Sequence, residues 1–197
     1  MMSVWRRGVG IRAGVSAAVL LLSGCALGTA SQPTHFYRLE APAPVAVTAQ
    51  NKARPTLGLL PVLLPAYLDR VSLVTQVSPV RYDIPQLEQW AGDLRGDLQV
   101  ALAGHLSQRL DNPNILLLPQ PGLRPPQSLQ VQVLRFDGRP GERLALVASW
   151  WLTGEGGVLL RQGQFEHSQP IESGYEALVR GMSAAVAALA ASVAGEL

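Results

Sequence analysis

The single thiol of this chain, Cys25, follows Leu22-Ser23-Gly24 and closes an uncharged apolar run. A thiol, through its thiolate, is nucleophilic enough to form a thioether with an activated carbon. Small Ser23 and Gly24 leave the neighbouring backbone open to a peptidase. Upstream, Arg6, Arg7 and Arg12 form a positive segment, and Ala13 to Leu22 is interrupted only by Gly14 and Ser16. That order of basic, apolar and small residues is the layout of an export signal. The competing reading is an uncleaved helix from Ala13 to Ala30. Its apolar part falls short of the ~20 residues a span needs, and Gly24, Gly28, Thr29 and Ser31 dilute its end.

The segment resembles a bacterial lipoprotein signal. That resemblance implies cleavage between Gly24 and Cys25, a diacylglyceryl group on the Cys25 sulfur and an acyl group on the new amino terminus. Acyl chains contribute ~0.8 kcal/mol per buried methylene, so three chains anchor far more firmly than one. Residues 1–24 are then a cleaved signal, 25–34 a lipidated tether and 35–197 a single domain. Ala26 to Thr34 is small, polar and uncharged, and reaches at most ~3.3–3.6 Å per residue. The signal removes three arginines and no acids from totals of 16 Lys+Arg and 14 Asp+Glu, leaving 13 against 14. The basic balance of the full chain therefore belongs to the signal. Nothing in the remainder supplies an electrostatic footprint for nucleic acid.

Beyond Cys25 the sequence composes no reaction centre. His35, His105 and His167 lie on three different expected elements, without a metal-ligand spacing, so no metal is expected. There is no Gly-x-Ser-x-Gly elbow and no phosphate loop. Asp93 and Asp97 are four apart, side by side on an expected helix, and read as a solvated face near Arg95 and Arg109. With the cysteine acylated, no thiol remains. The expectation is a non-enzyme whose only attached groups are the lipids on Cys25.

The elements that must position any contact surface follow from periodicity. His35 to Glu40 is an aromatic-rich first strand, and Ala41 to Pro55 a Pro-containing loop. Strands are expected within Thr56–Leu64 and Val71–Val77, with a short extended piece from Val80 to Ile84. Leu87, Trp90, Ala91, Leu94, Leu98, Ala101 and Leu102 recur at helical spacing, predicting a helix over 86–110 that Asp111-Asn112-Pro113-Asn114 stops. Ile115 to Leu118 reads as a short buried strand. Leu129, Val131 and Val133 alternate with glutamines, but Leu134 and Phe136 take the other parity, which predicts a bulge or a twist. Asp137 to Gly141 is a hairpin connection. Leu144, Leu146, Ala148, Trp150 and Leu152 give the next strand, and the polar Val158–Phe165 an edge. Core burial is expected for both Trp150 and Trp151. Ser173-Gly174-Tyr175-Glu176 reads as a capping box. It opens a helix striped by Tyr175, Leu178, Val179, Met182, Val186, Leu189 and Val193, with too few consecutive apolar residues to span a bilayer. Its Ala-rich back face admits a second helix or a second copy of the chain in a homo-oligomer, though helix propensity explains the same alanines. The fold class is α/β or α+β: one two-layer domain, a mixed sheet with two long amphipathic helices on one face.

Leu57-Gly58-Leu59-Leu60-Pro61-Val62, then Leu64-Pro65-Ala66-Tyr67-Leu68-Asp69-Arg70 and Leu73-Val74-Thr75, resembles the ABC-type transport auxiliary lipoproteins of the PqiC/YmbA type. The likeness continues through Phe36-Tyr37-Arg38-Leu39, Gln89-Trp90-Ala91, Arg135-Phe136-Asp137-Gly138, Trp150 and the terminal helix. Val71, where a proline is frequent, and Val80-Arg81-Tyr82-Asp83 depart from the pattern. The resemblance implies an outer-membrane lipoprotein facing the periplasm, with Ala26 after the lipid site consistent with that address. Its implied partners are an inner-membrane ABC transporter and an MCE-domain protein, together moving lipid between membranes. A structural or regulatory envelope lipoprotein for cell-wall or secretion-pore assembly is the competing class.

Pro65, Tyr67, Leu68, Asp69 and Arg70 are the expected partner-contact residues. Pro61 and Pro65 stiffen the approach, and aromatic and arginine side chains commonly dominate binding. The plainer expectation is that Tyr67 and Leu68 plug the end of the sheet while Asp69 caps a turn and pairs with Arg70.

Overall fold

The computed structural model describes residues 31–197 and folds them around a mixed five-stranded sheet. The first strands are β1 (His35–Tyr37), β2 (Leu57–Leu59), β3 (Thr75–Ser78), β4 (Arg81–Asp83) and β5 (Glu88–Trp90). Helix α1 (Leu94–Leu110) and β6 (Ile115–Leu117) follow. The chain ends with β7 (Gln127–Arg139), β8 (Arg143–Thr153), β9 (Leu159–Pro170) and α2 (Tyr175–Glu196). The large sheet has the order β6-β2-β7-β8-β9, with β2 parallel to both its neighbours and β7, β8 and β9 antiparallel. β1 and β5 pair in parallel outside it, and β3 and β4 form a separate hairpin.

Alternation decides the layers. Leu144, Leu146, Ala148, Trp150 and Leu152 share one face of β8, and all are buried. The β7 register shifts between Val133 and Arg135, which keeps Leu129, Val131, Val133 and Phe136 on that same buried face. Helix α2 packs on β7, β8 and β9 and also on α1, burying Leu178, Val179, Met182, Val186, Leu189 and Val193. Small residues of both helices, Ala101 and Gly104 of α1 with Ala185 and Ala190 of α2, are buried as well. Gly104 also admits the 41–55 loop, since a Cβ there would clash with the Pro42 carbonyl oxygen. The α2 sequence reaches a mean hydropathy of 1.7, enough by length and composition for a membrane span, contrary to the sequence expectation. Its apolar stripe is instead buried within the protein.

Five local expectations are corrected. The long helix starts at Leu94, not near residue 86, because Asp93 occupies the cap and accepts from the Arg95 and Gly96 backbone amides. Gln89 and Trp90 lie on β5, where the Trp90 amide donates to Val71 O at 2.7 Å. Asp93 and Asp97 do not share one solvated face: one caps α1 and the other meets Arg38 at 3.4 Å. The capping box at Ser173 does not form either. Gly174 is the cap residue, at φ 97°, and makes no side-chain bond. Trp150 is buried, but Trp151 lies half-buried on the outer face of the sheet. β6 is a half-buried edge strand rather than a buried one, and β9 is the other edge, as its polarity predicts.

Candidate functional site

After the bulge, Arg135, Asp137 and Arg139 point away from the helices, to the outer face of β7. A carboxylate on an outer face ordinarily meets water. Asp137 instead has no exposed surface, because the 65–70 turn and the β3–β4 hairpin fold over it. Its Oδ2 accepts from the phenols of Tyr67 at 2.8 Å and Tyr82 at 3.2 Å. Its Oδ1 accepts from Arg135 Nε at 3.0 Å. The Tyr67 oxygen also accepts from the Phe136 amide at 3.2 Å, and the two tyrosine rings stack with centroids 5.0 Å apart. Arg135 Nη2 reaches on to Gln76 Oε1 at 3.0 Å, so β3 is tied into the same cluster.

The electrostatics follow from that enclosure. Burial pushes the Tyr67 phenol well above its ordinary range, and the hydrogen bond and charge of Asp137 add to it, against the opposing Phe136 amide. Tyr82 moves the same way, through burial and then Asp137. Both phenols remain protonated donors. The carboxylate is paired and hydrogen-bonded on both oxygens, the condition under which a buried charge is tolerated. The cluster functions as a clamp that sets the 65–70 turn and the hairpin against the sheet.

The turn residues separate into held and presented groups. Leu68 is buried in the core and Tyr67 is half-buried on Asp137. Pro65 is half-buried, and its carbonyl accepts from the Leu68 amide at 3.0 Å. Asp69 is exposed and pairs with Arg95 of α1 at 2.8 Å, not with Arg70. Arg70 is exposed, its Nε donating to the Tyr67 carbonyl at 2.8 Å. Val71, next in the chain, is exposed, and so is Val80, 92% accessible at the tip of the β3–β4 hairpin. Gly24 and Cys25 lie outside the described residues. Among the described residues no group of three or more His, Cys, Asp or Glu side chains is placed to hold a metal ion.

Sequence reasoning treated Asp137 as part of a hairpin connection and missed it as the hub. The available signal was an aspartate between two arginines on the parity that the bulge turns outward.

Residues 37–194 match the family model for the ABC-type transport auxiliary lipoprotein component. The chain belongs to this family. The intermembrane transport lipoprotein PqiC of Escherichia coli strain K12 is 28% identical over 183 residues, covering 93% of this chain and 95% of PqiC. PqiC of Shigella flexneri matches to the same extent. Among solved structures, an uncharacterized protein is 26% identical with a TM-score of 0.70, covering 84% of this chain and 99% of that one. A protein from Xanthomonas campestris, 14% identical, has the same fold with a TM-score of 0.65 over 83% of this chain and 94% of its own. As an ABC-type transport auxiliary lipoprotein, this chain is a transport-associated accessory component, and Tyr67, Asp137 and Arg135 all fall within the matched region.

Proposed function

We propose that the chain is a non-catalytic docking subunit of an ABC/MCE-type intermembrane lipid transport system, anchored in the outer membrane and facing the periplasm. Acyl chains on Cys25 hold it to the inner leaflet, and residues 26–34 set its height. The folded domain then meets an MCE-domain protein that connects to an inner-membrane ABC transporter. The PqiC relatives, themselves intermembrane transport lipoproteins, support a role in transport.

The observation that carries docking is the buried Asp137 clamp. It holds the 65–70 turn rigidly on the sheet while leaving Arg70 and Val71 exposed. Preorganised surface loses little conformational freedom on association, which favours a contact role. The test is affinity purification of the full, lipidated chain from its own envelope. Co-elution of an MCE-domain protein and an ABC ATPase is expected. Recovery of cell-wall or secretion components in their place would overturn the reading. Cys25→Ser is expected to abolish palmitate labelling and membrane attachment, because a hydroxyl does not replace the thiolate in lipid transfer. Equal labelling of wild type and variant would remove the anchor from the proposal.

A further inference from the structure

Arg135 and Arg139 lie on the outer face of β7, and Arg143 of β8 stands directly opposite Arg139. With Gln76, Glu142 and Ser168 they line a cleft of about 450 Å³ between the sheet and the β3–β4 hairpin. Like charges facing each other across strands are unfavourable unless something offsets them. For Arg139 the offset is complete. Its Nη1 contacts the Glu142 carboxylate at 2.8 and 3.0 Å, Nε donates to Gln76 O at 3.4 Å and Nη2 to Val77 O. Arg135 is offset by Asp137, through Nε at 3.0 Å.

Arg143 is different. Its Nε and Nη2 both lie 3.2 Å from the neutral Ser168 Oγ, whose own proton goes to Leu144 O at 3.0 Å. Among the described residues no carboxylate forms an ion pair with Arg143. Among them, too, the Nη1 groups of Arg143 and Arg135 have no hydrogen-bond acceptor. Among the lining residues three guanidinium groups stand against Glu142, with Asp137 buried on Arg135 and Glu166 two residues before Ser168 on β9. Arg143 is left as the positive charge in a concave site with unused donors. That matches a phosphodiester, which carries one negative charge and two non-bridging oxygens, and guanidinium is the side-chain group best suited to such oxygens.

We propose that this cleft is a phosphate-ester site, with the Nη1 groups of Arg143 and Arg135 donating to the non-bridging oxygens. On the lipid-transport reading above, on which the biological source rests, the ester is a phospholipid headgroup. Free phosphate shares the chemistry. A strip of acidic peptide is the poorer match, because the surplus charge is one and sits in a local concavity rather than along a basic strip.

The experiment uses the full chain in dodecyl maltoside, a detergent without phosphate. Separate titrations with inorganic phosphate, dihexanoyl phosphatidylglycerol and a short polyglutamate peptide are followed by the arginine Nε–H resonances. Saturable binding of the lipid is expected, weakened about tenfold or more by Arg143→Gln, the scale of losing one charge-assisted contact. Tighter binding of the lipid than of phosphate assigns the site to a headgroup, and equal binding assigns it to the phosphate group alone. Both outcomes support the site. Binding of neither ligand, binding of the peptide alone, or lipid binding unchanged in Arg143→Gln would overturn it. Arg143→Lys guards against loss of fold: it keeps the charge, loses the fork, and is expected to bind between the two. The titration needs no transporter, so it stands or fails independently of the copurification test.

Discussion

Tyr67 and Asp137, separated by 70 positions in the chain, meet through a 2.8 Å hydrogen bond from the phenol to Oδ2. The bond closes a fully buried carboxylate and fastens a surface turn to the C-terminal end of β7. Tyr67→Phe deletes that donor and also an acceptor for the Phe136 amide, at an expected cost of about 1–3 kcal/mol. Asp137→Ala leaves two phenols without their acceptor and frees Arg135, and about 3 kcal/mol or more is expected. Urea denaturation of the full chain measures both. Two variants as stable as wild type would mean the cluster is not a clamp.

The legible parts of this fold were those governed by local period. The alternation in β7 and β8 placed Leu129, Val131, Leu144, Leu146 and Trp150 in the core, and the parity break at Leu134 located the bulge. The stripe from Leu178 to Val193 placed α2. The start of α1 was not legible, because Leu87, Trp90 and Ala91 continue the helical spacing by coincidence. What decides it is pairing with β1 and with Val71, which are remote in sequence. The site was hidden for the same reason. Asp137 is covered by Tyr67 and Tyr82, 70 and 55 residues away, and its neighbours Arg135 and Arg139 mark the outward parity but not that cover.

Asp93 is the residue that separates β5 from α1, since its carboxylate takes the first free amides of the helix at 3.2 and 3.1 Å. Asp93→Ala is expected to cost about 1 kcal/mol, the usual loss for an N-cap aspartate. Asp93→Asn keeps the acceptor and is expected to lose little. Thermal melting of the three proteins checks the order. A wild-type melting temperature for Asp93→Ala would contradict the capping role.

Leu178 and Met182 sit one turn apart on α2 and are both buried. Leu178→Asp and Met182→Asp each bury a carboxylate without a partner, and losses of a few kcal/mol are expected. Helix propensity alone predicts a far smaller effect. Near-native stability of either variant would show that the stripe does not face the core.

Acidification is expected to weaken the fold in two stages. On α1, burial of His105 holds its pKa below the ordinary 6.5, with Arg109 adding to the effect. Between those values the unfolded chain binds more protons, so this contribution is complete above pH 6.5 and declines as pH falls. Glu88 comes later. Burial pushes its pKa up, but hydrogen bonds from Tyr37 and His35 and the His35 charge outweigh that and hold it below 4.5. Its contribution is complete above pH 4.5 and is lost as pH drops through the folded value. His105→Gln is expected to remove the upper stage and leave the lower one. A stability profile identical to wild type between pH 7 and 5 would refute the assignment to His105.

Arg70 and Tyr67 lie in the same turn, yet the structure gives them opposite tasks. Tyr67 is held inward by Asp137, while Arg70 is exposed and touches the turn through the Tyr67 carbonyl. Tyr67→Ala therefore removes packing as well as hydrogen bonds, and its melting temperature is expected to drop. Arg70→Ala gives up one exposed contact to a backbone carbonyl, and stability is expected to stay within about 0.5 kcal/mol of wild type. The docking proposal adds a second readout for Arg70→Ala: copurification of the transport partner falls although the protein is fully folded. For Tyr67→Ala, recovery of partner is expected to follow the amount of folded protein. Val71→Ser, beside Arg70 on the exposed side, is expected to behave like Arg70→Ala. If Arg70→Ala and Val71→Ser are both stable and both retain the partner at the wild-type level, the contact lies on another face of the domain.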